Sequence, residues 1–317
     1  MDLVAVERGQ LIRQEALRLG FDDVGFAPAE EIGEEAGHFK RWLGRGYHAG
    51  MDYMARNVAK RTDPRKLVEG AKSVVVVLQN YMPPRNEKLE SGLKLAKYAY
   101  GRDYHKVMKK RLKKLMSFIQ SDVDTAAEGR FFVDSAPVLE RSLAIRAGLG
   151  WRGKNTSLIH PRLGSFVFIG EIILNIELPT GKPVKDACGG CSRCIDACPT
   201  NALMSPYQLD ANRCISYLTI ENKGDIPESF KGRFDGWFFG CDICQDVCPR
   251  NWKARPHKDP DFSLRTEFRD MTREEWMTMD ENIFDDIFKG SPIRRAGFSG
   301  IKRNLKFVTE DQSQPPC

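Results

Sequence analysis

The chain has 317 residues, of which 41% are hydrophobic, a length and composition that suit one large domain plus a smaller module and exclude a disordered chain. Its formal charge of +6 is modest, so the sum alone says little about a polyanionic partner. The segment Met1-Asp2-Leu3-Val4-Ala5-Val6-Glu7-Arg8 lacks the charged start and long apolar core of a signal peptide, and no run approaches membrane-spanning length. A soluble, cytoplasmic protein with no membrane partner is expected.

The predicted elements begin with an amphipathic helix over about Asp2 to Leu19, then a strand at Asp23-Val24-Gly25-Phe26-Ala27 and a helical region from about Ala29 to Asn57. The β-branched run Ser73 to Asn80 is too short for a typical helix and reads as a buried strand. A loop containing Pro83 and Pro84 follows. Between Lys94 and Lys114 there are nine Lys or Arg against one Asp. Within this stretch a helix is predicted after Gly101-Arg102, with Asp103 near its start. Met108, Leu112, Leu115 and Ile119 form its packed face, and Lys106, Lys109, Lys110, Lys113 and Lys114 occupy the others. That cationic surface reads equally as a solvated face or as a phosphate contact.

Arg130 to Asp134 reads as a strand delivering an acid at its end, followed by a helix over about Val138 to Ala147 and a further apolar strand from Ser165 to Leu174. Alternating elements around a central sheet imply α/β or α+β without fixing strand order. Gly148-Leu149-Gly150-Trp151-Arg152-Gly153 matches GxGxxG, but it follows a predicted helix rather than a strand, the wrong context for a dinucleotide site. A short acidic, aromatic helical region, Phe262 to Phe288, precedes Ser291 to Phe298. From Pro292 to Lys306 there are five basic residues and no acid.

Eight of the nine cysteines lie between Cys188 and Cys248. Cys188-x-x-Cys191-x-x-Cys194-x-x-x-Cys198-Pro199 has the spacing of a bacterial-type [4Fe-4S] run, in which the fourth cysteine ligates the other cluster. Cys214 and Cys241-x-x-Cys244-x-x-x-Cys248-Pro249 complete two sets of four. The crossing rule assigns Cys188, Cys191, Cys194 and Cys248 to one cluster and Cys198, Cys214, Cys241 and Cys244 to the other. Tetrahedral four-cysteine zinc is the competing reading, although CxxCxxC with Cys-Pro twice suits cubanes better. Disulfides are disfavoured because nothing suggests secretion. Two clusters on eight thiolates would take the charge from +6 to about +2. Cys317 reads as a frayed end with no role.

Tyr98-Ala99-Tyr100-Gly101-Arg102-Asp103-Tyr104-His105, Val133-Asp134-Ser135-Ala136-Pro137-Val138-Leu139-Glu140-Arg141, Gly148 to Thr156, and the double cysteine array occur in this order. In this combination the chain resembles the epoxyqueuosine reductases from about residue 5 to 306. The resemblance implies a cobalamin-dependent oxidoreductase with two [4Fe-4S] clusters that reduces an epoxide to a cyclopentene on the wobble nucleotide of tRNA. It also implies an α+β fold, with an α/β-like cobalamin-binding catalytic domain around a central sheet at 1–180. A two-cluster ferredoxin-like module at 181–250 and a short, helical, basic tail at 251–317 would follow.

Iron-sulfur clusters pass single electrons, so cobalamin in its cob(I) state would supply the two-electron nucleophile. Asp134 matches the family's proton donor and is the expected general acid, which requires burial to raise its pKa from near 3.9. Read from the residues alone, Asp134 or Ser135 could equally cap the helix near Val138. Arg141 resembles a family position near cofactor or substrate, and is otherwise a surface ion pair. Asn57, Lys97, Tyr104, His105, Lys154, Asn155 and Ser157 are the resemblance's other candidates to line the cobalamin pocket. The resemblance implies cobalamin without a histidine ligand, leaving His105 as a polar wall residue.

Longer relatives continue into helical repeats that hold tRNA, and no such repeats fit here. Phosphate contacts are therefore expected from Lys109, Lys110, Lys113, Arg294, Arg295, Lys302 and Arg303. A low-potential electron donor and a monomeric state complete the expectation. Three alternatives stand beside it: a dehalogenase-like corrinoid enzyme, a non-enzymatic two-cluster electron carrier, and a zinc-bearing RNA-binding protein.

Overall fold

The computed structural model describes residues 3–310, so Cys317 lies outside the described residues. The strands that position the site are β1 (Asp23–Pro28), β2 (Ser73–Asn80), β3 (Lys94–Leu95), β4 (Gly129–Phe132), β5 (Val167–Leu174) and β6 (Trp237–Phe239). The helices that frame it are α1 (Leu3–Arg18), α2 (Tyr104–Phe118), α3 (Glu140–Arg146), α4 (Ile215–Ile220) and α5 (Gly297–Glu310).

The central sheet has the order β1-β2-β5-β4, and every pairing in it is antiparallel. The fold is therefore α+β, because a doubly wound α/β domain needs parallel neighbours. β2 is central and buried along its whole length, which is why its β-branched residues run without polar alternation. Side chains alternate between faces along each strand. Val75, Val77, Phe168 and Ile172 pack with Ile12 of α1 and Met108, Leu112 and Leu115 of α2. Val74, Val76, Leu78, Ile169 and Ile173 face the other way, onto Leu143 and Ala144 of α3. The packed face expected for the basic helix is the one observed: Met108, Leu112, Leu115 and Ile119 are all fully buried.

A second core does not follow the expected divisions at 180 and 250. Leu89, Leu93, Leu95 and Tyr100 share it with Leu218 of α4, Phe238 of β6, and Trp276, Phe288 and Leu305 of the tail. β3 pairs in parallel with β6, so residues near 94 belong structurally with the cysteine module. The tail closes this core instead of standing apart. Asn304 of α5 is fully buried and donates to the carbonyls of Thr219 (2.7 Å) and Phe238 (2.9 Å).

The glycine-rich run from Gly148 to Gly153 follows α3 and holds the two-residue strand Trp151–Arg152, paired with Leu158–Ile159. No helix opens from it, as the dinucleotide motif would require. No helix among the described residues is long and apolar enough to cross a membrane.

Candidate active site and cluster ligands

The chain leaves the sheet at Phe132, and two residues later Asp134 adopts a left-handed backbone with φ +54°. Asp tolerates this region better than most residues, and such backbones cluster at functional sites. Pro137 delays the next helix, which opens at Glu140 rather than near Val138, with no side-chain cap. Asp134 is therefore not spent on capping. Its Oδ2 accepts the Tyr104 hydroxyl at 2.7 Å and lies 3.3 Å from His105 Nε2. His105 Nδ1 stands 2.8 Å from Asp103 Oδ1, which also accepts the His105 backbone N–H and starts α2. Tyr104 stacks on His105 and on Phe168, with centroids 4.1 and 4.2 Å apart, which fixes both polar tips. Behind the loop, Glu140 Oε1 accepts the Asp134 N–H at 2.8 Å.

These contacts decide where protons sit. Burial pushes the Asp134 pKa up, but the hydrogen bonds from His105 and Tyr104 outweigh it and hold the carboxyl at about 2. The expectation of a neutral Asp134 is thus corrected: the group is ionised at neutral pH. For His105 burial acts downward, yet its bonds to Asp103 and Asp134 raise it to about 9. The proton resides on the imidazole, between two carboxylates. The Asp134 side chain is 52% exposed and His105 24%, so Asp134 is the member that meets an incoming substrate.

Of the eight expected thiols, Cys194 and Cys244 lie in the short helices Arg193–Asp196 and Ile243–Asp246, and the others on the turns and loops outside them. Burial pushes Cys194 up, and Cys248, Cys188 and Cys191 add to the effect; burial and the Cys188 and Cys191 thiols act likewise on Cys248. Cys241 is raised by burial and by Cys244 and Cys214, while Cys214 is raised by burial and by Cys198. Cys244, also raised by burial, feels Cys214 and Cys198 and, across the two sets, Cys194. Thiols that burial keeps neutral ionise when a cationic centre replaces their solvent, so this donor set fits metal clusters. Among the described residues no three His, Cys, Asp or Glu are grouped to hold a single metal ion.

Several expected pocket residues tie the sheet to the cysteine loops. Lys154 Nζ donates to the carbonyls of Gly189 (2.6 Å) and Cys191 (2.9 Å). Asn155 reaches the Cys244 carbonyl at 3.4 Å and accepts the Ser157 N–H at 3.2 Å. Lys97 Nζ pairs with Asp246 (2.6 Å) and Asp242 (3.6 Å). Arg141 donates to the Thr156 carbonyl at 3.3 Å, and Asn57 takes a left-handed backbone beside the helix Val58–Thr62. Of the set, Tyr104, His105 and Asp134 meet at one point.

The expected phosphate contacts also divide. Lys110 and Lys113 are exposed, whereas Lys109 donates to Ser135 Oγ at 3.1 Å. Arg294 pairs with Asp285 at 2.7 Å. Arg295 pairs with Glu221 at 2.5 Å, and its charge reaches Asp134 and Tyr53, which places it at the site's rim. Lys302 and Arg303 must be withdrawn as free cations. Lys302 donates to the Met277 and Met279 carbonyls, and Arg303 to those of Leu218 and Asn222. Helix ends and loops left those carbonyls without partners, and long cations satisfied them.

Sequence reasoning missed Glu140, Glu171, Arg61 and the Arg295–Glu221 pair. The signal for Glu171 was legible, a single acid inside the apolar strand Val167–Leu174. The others come together only in the tertiary fold.

An antiparallel α+β domain bearing an acid–imidazole site, joined to a double four-cysteine module, defines a two-cluster iron-sulfur oxidoreductase. Residues 61–135 match the family described as "Epoxyqueuosine reductase QueG, DUF1730", and residues 187–251 match the "4Fe-4S double cluster binding domain". A Leadbetterella byssophila epoxyqueuosine reductase is 50% identical over 300 residues, covering 94% of this chain and 97% of its own. A crystal structure of an epoxyqueuosine reductase with an epoxyqueuosine-modified tRNA-Tyr stem loop superposes with a TM-score of 0.87 at 30% identity. It covers 94% of this chain and 80% of its own. A Bacillus subtilis epoxyqueuosine reductase, solved with its catalytic aspartate loop swung out of the active site, superposes equally well at the same identity and coverage.

The chain belongs to the epoxyqueuosine reductase family. It is an oxidoreductase whose cofactors are two [4Fe-4S] clusters and cobalamin. His105 is held by the protein itself: its two ring nitrogens face the carboxylates of Asp103 and Asp134.

Proposed function

We propose that this chain reduces epoxyqueuosine to queuosine at the wobble nucleotide of tRNA, with Asp134, His105 and Tyr104 as its proton-handling site. The observation that carries the reading is the left-handed Asp134 loop, bonded to Tyr104 and His105, on the same chain as the double cysteine module. When bound, cobalamin would supply a two-electron nucleophile, and the clusters would supply its electrons from a low-potential donor. The overall change adds two electrons and two protons, breaks both epoxide C–O bonds, forms the alkene and releases water.

The protein's own part is the proton. His105 Nε2 holds it against Asp134 Oδ2, and Asp134, the exposed member, passes it to the leaving oxygen while Tyr104 keeps the carboxylate aimed. His105 then acts as the proton source and Asp134 as its outlet. Arg141 and Arg61 act on Glu140 beside this loop and, with Asn57, would orient cofactor or substrate. Lys110, Lys113, Arg294 and Arg295 would contact RNA phosphates, with the chain acting as a monomer.

The deciding experiment is anaerobic turnover of epoxyqueuosine-containing tRNA with cobalamin and a strong reductant, read by nucleoside mass. Conversion to queuosine is expected. No conversion by protein loaded with eight irons and cobalt would refute the reading.

A further inference from the structure

A carboxyl group without a partner lies at the centre of the sheet. Glu171 of β5 is fully buried, and neither of its carboxyl oxygens has a hydrogen-bond partner among the described residues. It falls opposite Val76 of β2 and Phe132 of β4 in register. Its two-residue neighbours Ile169 and Ile173 pack on the face that carries α3. Glu140 opens that helix and accepts the Asp134 N–H. Glu171 and the helix that Glu140 opens thus share one face of the sheet, and Glu140 is bonded to the Asp134 loop.

An unpaired carboxylate inside an apolar sheet is prohibitively costly, so a group in this position keeps its proton. We propose that Glu171 and Glu140 form a proton store behind the Asp134 loop, which recharges the His105–Asp134 pair after that pair has protonated the substrate oxygen. The proposal rests on the reduction set out above. That reaction consumes two protons, and the His105–Asp134 pair holds one. A macromolecular substrate over Asp134 separates it from bulk water, whereas the store lies on the core side of the loop. In each turnover one proton moves from the store to the pair, and solvent refills the store once the product has left.

The surrounding charges are consistent with stored protons. Burial and the ionised Asp134 push Glu140 up to about 8, against the opposing pull of the Asp134 N–H, Arg141 and His105. Arg61, on the helix Val58–Thr62, also faces Glu140, as does Tyr104 of α2. Burial holds Glu171 far above the usual carboxylate range, with Glu140 and Asp134 adding to the effect. At neutral pH the three acids carry one negative charge, at Asp134, and two protons.

Infrared titration of the cluster-loaded, full-length protein reads the store directly. Protonated-carboxyl stretches should persist at neutral pH, and Glu171→Gln and Glu140→Gln should each remove one. Absence of such stretches at neutral pH would overturn the proposal even if the enzyme is active. In the reconstituted enzyme, Glu171→Gln should lower kcat roughly tenfold while KM for the tRNA stays constant, and should alter the pH profile between about pH 6 and 9. An unchanged kcat and profile in a variant that has lost its stretch would also overturn it. Should the amide unfold the sheet, Glu171→Met, apolar and adaptable, gives the same two readings. Inactivity of the unaltered protein on epoxyqueuosine-tRNA would refute the functional reading and leave the infrared result to decide the store.

Discussion

Asp134 has an ordinary carboxylate's chemistry altered by two neighbours. Replacing it with Asn keeps the side-chain shape and an acceptor for Tyr104, but removes the charge that holds the proton on His105. Asp134→Asn should retain clusters and cobalamin and lose at least about a hundredfold in turnover of epoxyqueuosine-tRNA. Undiminished turnover would show that the proton travels elsewhere. The same couple leaves a mark on stability. His105 is raised in the folded protein from about 6.5 to about 9, so its contribution is complete below about pH 6.5 and lost as pH rises through 9. Glu140, raised from 4.5 to about 8, favours the folded state at low pH in the same way and loses that advantage by about pH 8. Asp134 runs oppositely: lowered to about 2, it stabilises above its ordinary value and ceases to do so as pH falls through 2. The melting temperature should therefore fall between pH 6.5 and 9, and fall less in His105→Gln. Equal slopes in the two proteins would contradict the imidazolium assignment.

The element that aims this couple is α2, and its start is anchored by the tail. Arg102 N–H donates to the Asp261 carbonyl (2.7 Å) and Asp103 N–H to that of Gly290 (2.7 Å). A Cβ on Gly101 would stand 2.2 Å from the Asp261 carbonyl oxygen, which only glycine avoids. Gly101→Ala should cost about 1–3 kcal/mol in chemical denaturation and lower the His105 pKa by shifting Asp103 away from the ring. A variant that matched the parent in both measurements would show that this close approach positions nothing. The elements themselves were largely legible in the sequence, because a β-branched run and a 3.6-residue apolar repeat each admit one regular structure. The start of α3 was not, since Pro137 and the left-handed Asp134 postpone it. Nor was the role of Lys302 and Arg303, whose charge in sequence is indistinguishable from that of a phosphate contact until the carbonyls they satisfy are placed.

At the scale of the whole molecule, the basic surface is smaller than the composition suggests, because Lys97, Lys154, Lys302 and Arg303 are engaged internally. Lys110, Lys113, Arg294 and Arg295 remain toward solvent. Binding of tRNA should weaken by roughly one to three orders of magnitude between about 50 and 200 mM salt, with a shallower slope in Lys110→Ala/Lys113→Ala. A flat salt response would remove these cations from the interface.

The cysteine spacing determined the two-cluster module, because ligand spacing along a chain is itself a geometric statement. The apolar periodicities determined the strands and the basic helix, and the ordered motifs determined the family. Only the tertiary structure decided the antiparallel sheet, the sharing of one core by residues near 94, the cysteine module and the tail, and the protonation of the site. A pKa depends on which charges stand within a few ångströms, and Asp103, Tyr104, His105, Asp134, Glu140 and Glu171 come together only when two strands and two helices have packed.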